Sequence, residues 1–116
     1  MQPTIDELRA GIQRACQPTY VPYIVEGRAR ALAMPHSWVL EHVLRIAEES
    51  LNLCDYWEFR RLLELLELLG ASDALHVIIG RGLDSADLDV REAAEDFKAE
   101  FAKAAEPDAG PDRGGI

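Results

Sequence analysis

Cysteine is scarce in this 116-residue chain: Cys16 and Cys54 are too few for a disulfide framework. They are expected as small apolar side chains in a reducing compartment, so the expected location is cytoplasmic. No run of about 18 apolar residues occurs, and no membrane span is expected. Met1 to Glu7 has neither the basic nor the apolar region of a secretory signal. Bases are also few: 12 Lys and Arg stand against 21 Asp and Glu, for a net charge of −9. The shortage is local. Residues 1–50 carry six acids and five arginines, whereas residues 51–116 carry fifteen acids and seven bases. Such a field repels phosphate backbones, which argues against nucleic acid, and steers a basic protein surface inward. No stretch alternates at period two for long enough to make a strand.

The apolar residues that are present recur at helical spacing and predict an all-α domain of about five helices. Thr4 and Glu7 form a capping box ahead of Ile5, Leu8, Ile12, Ala15 and Cys16, and Pro18 closes this first helix. Residues 18–34, apolar but interrupted by Pro22, are expected to form a structured loop. A second helix opens at Pro35 and runs to Leu51, with Val39, Val43 and Ile46 as its inner stripe.

Asp55 and Glu58 cap the third helix, with Cys54 stapled onto Phe59. Its body, Phe59 to Leu69, is apolar around more than half its girth and ends at Gly70. The fourth spans Ser72 to Arg81, burying Leu75, Val77, Ile78 and Ile79. The fifth follows Asp87 and lines up Val90, Ala93, Ala94, Phe97 and Phe101. The folded domain is expected over 1–105. Residues 106–116, with two Pro and three Gly, are expected to be a disordered tail.

Phe59-Arg60-Arg61-Leu62-Leu63-Glu64 can be laid on Val90-Arg91-Glu92-Ala93-Ala94-Glu95 at an offset of 31 residues, a period suggesting stacked helix pairs. The run Asp84-Ser85-Ala86-Asp87-Leu88-Asp89-Val90-Arg91-Glu92-Ala93-Ala94 resembles the start of a HEAT-type repeat, with Leu88 where that family favours Pro. Met34-Pro35 with Trp38, then Asp55 to Glu64, then Gly82-Leu83-Asp84-Ser85, are similar to small bacterial HEAT-like immunity proteins. The resemblance implies antiparallel helix hairpins stacked as a solenoid fragment, and a protein that neutralises a toxin by binding it. No binding residue is carried over from either family.

Candidate chemistry is thin. His36 and His42 lie six apart, off the i,i+4 spacing of helical ligands, and His76 stands alone, so neither metal nor cofactor is expected. No nucleophile, acid–base pair or phosphate loop is assigned, and the chain is expected not to be an enzyme. Phe59 takes the inward position at the start of the third helix, so Tyr56 and Trp57 cannot both face the core. They are the candidate anchors for a partner. Asp84, Asp87, Asp89, Glu92 and Asp96 are the candidate steering acids. Exposed pairs are expected at Glu58–Arg61 and Arg91–Glu95, with Arg60 and Arg91 each bonded to a neighbouring carboxylate. The expected function is a protein-binding module, an immunity protein for a basic toxin. The alternative is a small structural or adaptor protein that acts through self-association, using Leu65 and Leu68, or through a host-cell partner.

Overall fold

Thr4 Oγ1 accepts from the Glu7 amide at 3.1 Å, and Glu7 Oε1 accepts from the Thr4 amide at 2.9 Å. The capping box therefore opens α1, Ile5–Ala15, in the computed structural model, which describes residues 3–105. The predicted tail, 106–116, lies outside the described residues. Leu8, Ile12 and Ala15 of α1 and Cys16 just beyond it face the core.

The segment expected as a loop is instead mostly helical: α2 spans Val21–Ala33. Pro22 is its second residue, where a missing N–H costs no intrahelical bond. The Tyr20 carbonyl accepts from Tyr23 and Ile24 to start the ladder. Small residues set the packing of α2 on α1. A Cβ at Gly27 would fall on the Ala15 nitrogen and the Gly11 carbonyl, so only glycine permits this approach.

α3, His36–Ser50, begins after Pro35, its N-cap, and buries Val39, Val43, Ile46 and Ala47. α4, Tyr56–Leu69, buries Phe59, Leu62, Leu63, Leu65, Leu66 and Leu69, a coat wide enough to be packed on several sides. Its cap is only half of the predicted box. Asp55 Oδ2 accepts from the Glu58 amide at 3.0 Å, but the Glu58 carboxylate turns to the Asn52 amide at 3.0 Å. The Asp55 amide is already committed to the Asn52 carbonyl. The Cys54 staple is not made either, because Cys54 is exposed and Leu53 is the buried residue before the cap. Gly70, at φ 68°, ends α4 in the left-handed region, as its position predicted.

α5, Ser72–Leu83, and α6, Leu88–Ala105, complete six helices, one more than expected, with no strand among the described residues. Val77, expected inside, is 46% exposed because it lies off the arc of Ala74, Leu75, Ile78 and Gly82. Consecutive helices pair, and each helix also meets the one two places on: α1 with α3, α2 with α4, α3 with α5, α4 with α6. α2 meets neither α5 nor α6. One apolar cluster draws on all these elements, with Phe59 and Leu62 among its largest buried members. No helix of the described residues is long and apolar enough to cross a membrane.

Candidate functional site

At the start of α4 the buried Phe59 ring fixes which way its neighbours point. Trp57 is 43% exposed, while Tyr56 is half-buried against the core. Their rings meet edge to face at 5.0 Å. The Tyr56 hydroxyl accepts from Arg60 Nη1 at 3.3 Å, and the Arg61 guanidinium lies 5.2 Å from the Trp57 ring centre. Trp57 is thus the rigid ring left available of the two candidates.

One turn further along α4, Glu64 gathers three arginines. Its Oε1 accepts from Arg28 Nη2 at 2.7 Å and from Arg61 Nη1 at 3.0 Å, and its Oε2 is 3.4 Å from Arg60 Nε. Arg61 Nη2 also donates to the Pro18 carbonyl at 3.2 Å, tying α4 to the turn between α1 and α2. The expected Glu58–Arg61 pair is absent because both side chains are engaged elsewhere. Three cations on one carboxylate leave Nε of Arg28 and of Arg61 buried without an acceptor. Arg28 and Glu64 stand 36 residues apart, too far for any local spacing rule to have paired them. The cluster lies in an open groove of about 710 Å³ whose rims include Val21, Val25 and Leu68.

The five candidate steering acids lie at the other end of the chain, in and after the α5–α6 turn, and all are exposed. Two of them have local work. Asp84 is the C-terminal cap residue of α5. Asp87 Oδ1 accepts from the Asp89 and Val90 amides at 2.9 and 3.0 Å, capping α6. Asp89, Glu92 and Asp96 serve neither purpose. Among the described residues every ion pair uses a carboxylate no later than Glu64, so the acids of α5 and α6 have no cation on them. The expected Arg91–Glu95 pair is not formed. Arg91 turns Nε and Nη2 onto the Ser85 carbonyl, at 3.2 and 3.1 Å, and clips the turn. Arg60 does meet a carboxylate, Glu64, as predicted. No hydrogen bond or ion pair among the described residues joins the aromatic pair to the acids, so these are two patches.

Leu65 is fully buried and cannot serve the subunit contact proposed for it, while Leu68 is 49% exposed. Cys16 is buried, and burial, helped by the charge of Glu58, pushes its thiol up to about 12. Such a thiol is inert at neutral pH. His42 packs 5.0 Å from Trp38 and His76 lies 6.2 Å from Phe101. Among the described residues no group of three or more His, Cys, Asp or Glu stands close enough to hold a metal ion. No protein-family model matches the chain, and no curated protein or solved structure shows significant similarity to it.

Proposed function

We propose that this chain is a non-catalytic protein-binding domain of the HEAT-like kind, and specifically an immunity protein that sequesters a basic toxin domain. The observation that carries this reading is the run of exposed carboxylates from Asp84 to Asp96, none of them in an ion pair among the described residues, in a chain where Asp6, Glu26, Glu48, Glu49 and Glu64 each hold an arginine. Acids left in water attract a basic surface over a Debye length and raise its encounter rate, an effect that salt removes. Trp57, rigid and half in water, supplies the anchor that slows dissociation. The contacts between helices two places apart support stacked hairpins, which would set both patches on a continuous scaffold.

The test starts at the gene, where a toxin domain encoded alongside is the expected partner. Replacing Asp84, Asp89 and Asp96 by Asn and Glu92 by Gln, with the α6 cap Asp87 left intact, should slow association with that domain. The loss should be severalfold or more at low ionic strength and shrink as salt is added. Trp57→Ala should raise the dissociation rate by about tenfold or more. Unchanged rates and an unchanged salt slope defeat the steering mechanism. A neighbouring toxin that this chain neither binds nor blocks in cells defeats the immunity reading.

A further inference from the structure

Between α5 and α6 lies a cleft of about 400 Å³, inside the roughly 300–1,000 Å³ range of small-molecule sites. Its walls are almost wholly apolar and include Ile79, Leu83 and Phe101. The polar side chains lining it are those of His76 on α5 and Lys98 on α6, and no carboxylate lines it.

A glycine inside the same helix points to this space. Glycine is among the poorest helix formers, so one in a helix interior needs a reason. Gly27 and Gly82 have one, since a Cβ on either would strike its neighbours. A Cβ at Gly80, within α5, would meet nothing within 4 Å. Packing of the chain on itself does not require that glycine. The cleft does, because Gly80 lines it and a larger residue would take up its room.

Charge selects the occupant. A cation finds no carboxylate in the lining, whereas Lys98 offers an ammonium that makes no ion pair among the described residues. Asp73 and Glu95, one turn before His76 and Lys98, are exposed and pair with neither. The net charge of −9 weighs against polyanions, which favours a single carboxylate on a long apolar body. We propose that the α5–α6 cleft binds such an amphiphilic carboxylate. Its body lies along Ile79, Leu83 and Phe101, and its carboxylate meets Lys98, with His76 as a second N–H donor. Neither Trp57 nor the five steering acids take part, so this site stands apart from the binding function above.

Decanoate is the probe, titrated into the full chain by calorimetry while NMR follows the ring resonances of His76 and Phe101. One-to-one saturation is expected, with both rings shifted. Each two methylenes from hexanoate to decanoate should tighten binding by about tenfold. Decyltrimethylammonium should bind more weakly than decanoate, and Lys98→Glu should invert that preference. Gly80→Leu should abolish decanoate binding and also raise the melting temperature, because leucine forms helix better and meets no clash. Loss of binding by a more stable chain cannot be laid to misfolding. A titration that fails to saturate, a parent chain that prefers the cation, binding that survives Gly80→Leu, or a lower melting temperature for that variant overturns the proposal. So does a dimer of the parent that Gly80→Leu dissociates, which would make a second copy the occupant.

Discussion

Between α1 and α2 the backbones themselves are in contact; between α5 and α6 side chains fill the gap. The first approach rests on Gly27, whose absent Cβ leaves room for the Ala15 and Gly11 main chain. In the second, a Cβ at Gly82 would meet the Phe59 ring and the Ala94 methyl. Charge divides the same way. Glu26, Glu49 and Glu64 in the first part each accept an arginine, while Asp89, Glu92 and Asp96 in the last face water alone. Several acids of the first part tie two helices together through arginine, while these three acids of α6 make no ion pair among the described residues.

Five substitutions sharpen or break that contrast. Gly27→Ala should have the largest effect, a loss of about 3 kcal/mol or outright unfolding in a thermal melt, since main-chain atoms cannot rotate away. Gly82→Ala should cost less, because a ring and a methyl can shift; equal losses would erase the distinction. Glu64→Gln should come next, at about 1–2 kcal/mol by denaturant titration. It leaves three guanidiniums without their counter-charge, a loss moderated by partial exposure to water.

Asp87→Ala should lower stability by about 1 kcal/mol through loss of the α6 cap. Smallest of all, Asp96→Asn should be neutral or stabilising by a few tenths of a kcal/mol at low salt, because Glu92 and Glu100 stand one helical turn to either side of it. A destabilisation of Asp96→Asn comparable to that of Asp87→Ala would mean the acidic end is structural after all.

The helices that could be read from sequence are those whose large apolar residues point inward. α4 was visible from Asp55, its leucines and Gly70, and α1 from Thr4 and Glu7. α2 was misread because its pattern is inverted. The inner face is written in Gly27 and Ala31, which carry little hydrophobic signal, and the large residues Val21, Val25 and Leu32 face out. Pro22 then looked like an interruption instead of a helix start. At the candidate site, crowding by Phe59 correctly implied that Tyr56 and Trp57 would not both be buried. The arginine cluster on Glu64 was invisible, since Arg28 reaches it only once α2 exists and packs beside α4. The side-chain choices of Glu58 and Arg91 were missed for a related reason. Each preferred a backbone group at a turn, Asn52 N–H or Ser85 carbonyl, to the ion pair that helical spacing offered.

The placement of the two thiols has a consequence for handling the protein in air. Cys54 lies at the surface, and Cys16 is shut in the core and held protonated, so neither can reach the other without unfolding. An oxidant therefore finds one reactive sulfur per native chain. Cross-linking by disulfide must join molecules in twos and stop there, since a covalently joined pair has no thiol left to extend into a polymer.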